Sequence, residues 1–153
     1  MESFQGKTAI VTGAGSGIGR ALALALAGKG VGAVIITDIV QERIDTVVEE
    51  LKTRGVQAEG YRVDHSKVDD VKAFADSFFA KWDHVDILCQ NAGVGIGGRF
   101  LETSLEEFEW VIGINLWGPI FMMNLFVPKM AERGQGSVLI TASDAGLAPL
   151  PFS

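Results

Sequence analysis

The segment Thr12-Gly13-Ala14-Gly15-Ser16-Gly17-Ile18-Gly19-Arg20 restricts the possible folds of this chain more than any other. It joins a short β-branched run, Thr8 to Thr12, to the Ala/Leu-rich run Ile18 to Lys29. The second run alternates Ala and Leu and so imitates period two. Both are strong helix formers, however, and nothing after Ile18 is β-branched, so the run reads as a helix. Glycines between a strand and a helix permit a tight turn, a close backbone approach and close seating of the helix on the strand. The opening N–H groups of that helix and the positive end of its dipole then face outward, where they suit phosphate oxygens.

Strand-like and helix-like segments go on alternating. Val34 to Thr37 is a second strand, and Gln41 to Arg54 an amphipathic helix with Ile44, Val47, Val48 and Leu51 on one face, stopped by Gly55. Gln57 to Val63 is a third strand, less apolar, as suits an outer position. Lys67 to Trp82 reads as a helix with Val68, Val71, Phe74, Phe78 and Phe79 inward, and Asp86 to Cys89 as a fourth strand. Leu105 to Met130 reads as one long apolar helix opened by a Ser104/Glu107 capping box, and Gly136 to Thr141 as a fifth strand. This alternation predicts an α/β protein: a Rossmann-type doubly wound parallel sheet with helices on both faces, strand order 3-2-1-4-5, and ligands at the switch point between strands one and four. Residues 1–153 read as one dinucleotide-binding domain. The apolar fifth strand at an edge suggests the N-terminal portion of a longer single domain.

Asp38 closes the second strand, placed to accept hydrogen bonds from the ribose hydroxyls of a dinucleotide whose diphosphate sits on Gly13, Gly15, Ser16, Gly17, Ile18 and Gly19. Its charge repels a 2′-phosphate. Ile39 follows it, Ser16 stands in the loop and Arg20 lies beyond the loop, so the nearest positions carry no arginine and NAD is favoured over NADP. A net charge of −6 leaves no electrostatic footprint for a nucleic acid. The one cysteine, Cys89, is expected to be a buried thiol. With no disulfide framework, and no signal-peptide pattern before the first strand, a cytoplasmic setting is expected. No charge occurs between Glu109 and Lys129, which approaches the length of a membrane span. Asn115, Pro119 and Asn124 interrupt that span, so burial in a core or subunit interface is expected instead. His65 and His84 sit beside polar residues without a partner at ligand spacing, and no metal site is expected.

These residues resemble the short-chain dehydrogenases/reductases, in the spacing of their single-domain branch. Thr12–Gly19 is similar to the family's Thr-Gly-x-x-x-Gly-x-Gly, and Gln90-Asn91-Ala92-Gly93 to its Asn-Asn-Ala-Gly, with Gln90 a departure. Val63-Asp64 resembles the pair that touches adenine. Asn115 matches the helix asparagine of the catalytic tetrad, and Gly136–Ser143 the strand ending in the catalytic serine, with Gly146 fixing the register on Ser143. The resemblance implies a hydride-transferring oxidoreductase acting on a secondary alcohol or ketone. In it Ile39, Asn91, Ala92 and Gly93 border the cofactor, Ser143 bonds the substrate oxygen, and Asn115 holds a proton-relaying water. It also implies a homodimer or homotetramer. The glycine-rich segment Gly93–Gly98 is expected beside the nicotinamide, and Val94, Ile96, Leu147, Pro149 and Leu150 are expected to form a pocket for a hydrophobic small molecule. The family's Tyr-x-x-x-Lys would fall beyond Ser153, and Tyr61, in the third strand, is no substitute. Asp144 has no assigned role. The alternative is a dinucleotide-binding sensor or scaffold without turnover, since fold alone does not fix activity. An epimerase of the extended branch is disfavoured by the loop spacing.

Overall fold

Side chains alternate across a strand, so a strand buried at every position must be covered on both faces. The computed structural model, which describes residues 3–148, places three such strands at its centre. In chain order the elements are β1 (Thr8–Thr12), α1 (Gly17–Gly28), β2 (Ala33–Asp38), α2 (Gln41–Thr53), β3 (Gln57–Arg62), α3 (Val68–Phe79), β4 (Ile87–Gln90), α4 (Leu105–Ile112), α5 (Gly118–Glu132) and β5 (Ser137–Ile140). All pairings are parallel, in the order β3-β2-β1-β4-β5, as the sequence predicts. Ala9, Val11, Val34, Ile36 and Cys89 face one layer, where Leu26 of α1 and Ile44, Val47 and Leu51 of α2 cover them. Ile10, Ile35 and Leu88 face the other, under Val71, Phe74 and Phe78 of α3 and Met122, Phe126 and Met130 of α5. Each large side chain buried this way contributes about 1.5–3 kcal/mol. Val68, expected inward, is 37% exposed because it opens α3 ahead of the first residue over the sheet.

The long apolar helix is not one helix. α4 begins on the expected capping box, with Glu107 N–H donating to Ser104 Oγ at 3.2 Å and Ser104 N–H to Glu107 Oε2 at 2.8 Å. It then widens into a π turn over Gly113–Trp117, where the Gly118 N–H bonds the Gly113 carbonyl, before α5 resumes. Pro119 supplies the physical reason. It has no N–H for the carbonyl four residues back, that of Asn115, and its ring crowds that oxygen in a regular helix. A turn with one extra residue relieves the crowding.

The expected burial also holds only in part. Leu105–Glu132 is long and apolar enough to cross a membrane by length and composition, yet 22% of its apolar window is buried. The buried stripe belongs to α5. α4 buries none of its residues, and Trp110, Ile112, Leu116 and Trp117 remain exposed. β5, paired with β4 alone, is exposed along its whole length.

Candidate functional site

The carboxyl ends of all five strands open on one cavity of about 930 Å³ at the β1/β4 switch point, near the top of the usual roughly 300–1,000 Å³ for small-molecule sites. Gly13, Ser16, Gly17, Ile18, Asp38, Ile39, Val63, Asp64, Asn91, Ala92, Gly93, Asn115 and Ser143 all line it. Gly15 and Gly19 do not. They are buried behind the wall, and their part is to let other groups close in.

Gly13 (φ +62°) and Gly17 (φ +53°) hold left-handed backbone that favours glycine. A Cβ on Gly13 would stand 2.7 Å from Ala92 Cα, where the β1 and β4 loops cross. On Gly19 it would run into the Gly13 carbonyl oxygen and stand 2.6 Å from Asn91 Nδ2. On Gly15 it would stand 2.7 Å from Asp38 Cγ and 2.8 Å from Arg43 Cβ. Ser16 caps α1 in extended backbone without a side-chain bond, which leaves the opening amides of the helix for an anion.

Hydrogen bonds tie the strand ends together. Thr12 Oγ1 accepts from the Asn91 and Ala92 amides, both at 2.9 Å. Asn91 Nδ2 donates to the carbonyls of Thr12 (3.2 Å) and Gly13 (3.4 Å), and Asn91 Oδ1 accepts from the Thr141 hydroxyl at 3.1 Å. Asn91 is therefore a strut between β1, β4 and β5. Asn115, carried by the π turn, clamps the β4 loop, its Oδ1 accepting from Val94 N–H at 2.9 Å and its Nδ2 donating to Val94 C=O at 2.8 Å. The Ser143 hydroxyl donates to Asp144 Oδ1 at 3.2 Å and accepts from Ala145 N–H at 3.1 Å.

At the far end of the cavity Asp38, 8% exposed, does more than face a ligand. Its Oδ2 accepts from Gly15 N–H at 2.9 Å and its Oδ1 from Val40 N–H at 3.1 Å, so it also pins the glycine loop. Burial alone would raise Asp64, but bonds from the Ser66 hydroxyl (2.6 Å) and amide (3.0 Å), with Lys67 beside it, hold its carboxyl below the usual range. His65, which sits beside polar residues in the sequence, is nonetheless turned inward. It is 5% exposed, its Nε2 lies 2.8 Å from Thr37 Oγ1, and it lines the cavity. Burial pushes its pKa down to about 4, against the opposing pull of the Asp64 and Asp38 carboxylates. The cause is tertiary: the β3–α3 loop lies against the π turn, where a Cβ on Gly118 would stand 3.1 Å from His65 Cβ. Cys89 is buried as expected, and burial pushes its thiol pKa up.

The apolar wall differs from the one expected. Val94 lines the cavity, but Ile96 does not, and Leu147 is 93% exposed and also off the wall. Pro149 and Leu150 lie outside the described residues. Trp110, Ile114 and Ile140 take their place. Arg43 is a further lining residue that the sequence reading passes over. Its signal was available, because Arg43 stands five residues after Asp38 in the first turn of α2, exposed at the edge of the buried stripe of Ile44, Val47 and Leu51 and near the end of β2.

A family model described as short chain dehydrogenase matches residues 7–153. The probable oxidoreductase EphD of Mycobacterium tuberculosis is 40% identical over 141 residues, covering 92% of this chain and 24% of that protein. Among solved structures, a short chain dehydrogenase/reductase from Burkholderia phymatum in complex with NAD aligns with TM-score 0.94 and 36% identity, covering 99% of this chain and 54% of the other. A metagenomic short-chain oxidoreductase in complex with NADP aligns with TM-score 0.93 and 33% identity, covering 99% and 69%. This chain thus spans about a quarter of the first relative's length and about half of the second's.

Proposed function

Because this chain belongs to the short chain dehydrogenase family, we propose that it forms the dinucleotide-binding portion of an oxidoreductase that interconverts a secondary alcohol and a ketone, preferring NAD(H) to NADP(H). One observation carries the reading: the glycine loop, the opening amides of α1 and Asp38 share the wall of one cavity at the switch point. The close approaches at Gly13, Gly15 and Gly19 are filled by the chain's own backbone and side chains, and this leaves the cradle beside Ser16 and Gly17 open to a diphosphate. When bound, the nicotinamide supplies the hydride chemistry.

The chain's own residues bind and orient. The α1 amides hold the diphosphate, the remaining lone pairs of Asp38 meet ribose hydroxyls, and Ile39, Val63 and Asp64 border the adenine. Asn91, Ala92 and Gly93 form the wall toward the nicotinamide, kept rigid by the Thr12 bonds. Ser143 offers its oxygen to the substrate. Asn115 fixes the Val94 loop through its side chain, and its backbone carbonyl, which lacks a donor four residues on, is suited to hold a water. Trp110, Ile114 and Ile140 favour an apolar substrate. Tyr61 bonds Glu59 at 2.6 Å and does not line the cavity, so the proton-transferring acid–base is assigned to the part of the relatives' length that this chain does not span.

The exposed Leu116, Trp117 and Ile120 support burial against a second copy in a homodimer or homotetramer rather than in a membrane. A single buried cysteine supports a reducing, cytoplasmic setting. The test is calorimetric titration of the complete protein with NADH and NADPH, followed by turnover with a panel of secondary alcohols. NADH should bind the more tightly and an apolar alcohol should be oxidised. Binding without turnover would favour the sensor alternative, and no binding of either dinucleotide would overturn the proposal.

A further inference from the structure

We propose that His65 is a positioning residue: it props the π turn over the end of β2 and so sets where Asn115 holds the Val94 loop. The inference deepens the oxidoreductase reading and rests on it for the effect on turnover. A histidine buried beside a ligand cavity needs a reason, because its ring nitrogens lose water unless the fold replaces it. Here Nε2 lies 2.8 Å from Thr37 Oγ1, and Thr37 is itself fully buried near the end of β2. The Thr37 carbonyl accepts from Ala14 N–H at 3.0 Å, so the foot of the prop stands on the strand end that also holds the glycine loop.

The head of the prop meets the π turn. A Cβ on Gly118 would stand 3.1 Å from both His65 Cβ and the His65 carbonyl oxygen, and one on Gly113 would stand 3.0 Å from Ser66 Cβ. The β3–α3 loop therefore touches both ends of the turn, and Asn115 lies between the two points of contact. The loop is tied tightly enough to hold them. Asp64 Oδ1 accepts from the Ser66 amide and hydroxyl, the Asp64 carbonyl accepts from Lys67 N–H at 3.0 Å, and Asp64 N–H donates to Asp70 Oδ2 at 3.3 Å. Close-packed interiors pass a displacement on rather than absorb it. A shorter side chain at position 65 frees the turn to settle toward the sheet, and both Asn115 bonds to Val94, at 2.9 and 2.8 Å, lie on the part that moves.

Three measurements on the complete protein separate positioning from ligand contact. Hydrogen exchange at the Val94 amide without ligand reports the clamp, calorimetry with ADP reports the adenosine end, and kcat with an apolar secondary alcohol reports the reaction. His65→Val should quicken Val94 exchange and lower kcat by about tenfold or more each, while ADP affinity changes by about threefold or less and the β1 amides keep their protection. His65→Gln, which can bond Thr37 again, should restore most of both losses. Thr37→Val keeps the ring and removes its anchor, so it should shift Val94 exchange and kcat in the same direction, and it carries the test if His65→Val does not fold. Unchanged Val94 exchange in the folded variants, protection lost equally from β1, or ADP affinity falling as far as kcat would overturn the inference. If the unaltered protein turns over no alcohol, the oxidoreductase reading fails, and Val94 exchange still decides whether His65 is the prop.

Discussion

Lowering the pH from about 7 to about 4.5 should destabilise the protein by about 2 kcal/mol through His65 alone. The imidazole is 5% exposed, and burial holds its pKa at about 4 against an ordinary value of 6.5. Between those values the unfolded chain takes up a proton that the folded chain refuses. Stability is therefore complete above the unfolded value, falls by up to about 1.4 kcal/mol per pH unit below it, and is spent once pH drops through the folded value. Asp64 and Glu59 add to acid sensitivity, since both carboxyls are held below their ordinary values of 3.8 and 4.5, but their loss begins only as the pH nears those values. The upper part of the window belongs to His65. Urea unfolding followed by tryptophan fluorescence, at half-unit pH steps, measures the slope. His65→Gln keeps a polar group for Thr37 Oγ1 but does not titrate, so its curve should be flat where that of the unaltered protein falls. An identical slope in both proteins would refute the assignment.

Thr12→Val removes the only acceptor shown for two amides, those of Asn91 and Ala92, and should lower stability by about 2 kcal/mol or more, read by thermal or urea unfolding. Gly19→Ala places a methyl group against the Gly13 carbonyl and Asn91 Nδ2, and calorimetry should show NADH affinity down by about tenfold or more, with a stability loss of about 1–3 kcal/mol. Asn115→Ala releases both bonds to Val94, so hydrogen exchange at the Val94 amide should quicken by about tenfold or more while amides of β1 and β2 keep their protection.

Local chemistry was legible in the sequence, and what distant parts of the chain do to one another was not. The sheet order follows from runs such as Thr8–Thr12 and Val34–Thr37 because period-two burial and glycine punctuation are local signals. The loop glycines could be named, but only the fold separates Gly13 and Gly17, which bear on the cavity, from Gly15 and Gly19, which admit neighbours. The polar sequence neighbours of His65 give no sign of its burial, because its cover comes from the π turn some fifty residues on. Asp38 was assigned a ligand-facing role, and its two loop amides were invisible without tertiary structure. Beyond its nearness to Asp38, Arg43 carries no local mark of its place on the cavity wall, since an exposed arginine in the first turn of an amphipathic helix is ordinary in sequence. The break in the long apolar helix left little trace in hydropathy, since Asn115 is the one polar residue in the turn and no charge lies within it. Pro119 alone marks the position in the sequence, and a proline does not by itself say whether a helix ends, kinks or widens.

The widened turn at Gly113–Trp117 works as a gear between two helices. One residue beyond the regular helical count advances everything after it by about 100° around the axis. Asn115 can therefore point at Val94 while Met122, Phe126 and Met130 still drop into the sheet layer, two orientations that an unbroken rod could not satisfy together. Deleting a single residue there, Leu116 for instance, should straighten the rod and swing Phe126 out of its seat or Asn115 off its loop. The length of this turn is thus as much a specification of the site as the identity of the asparagine it carries.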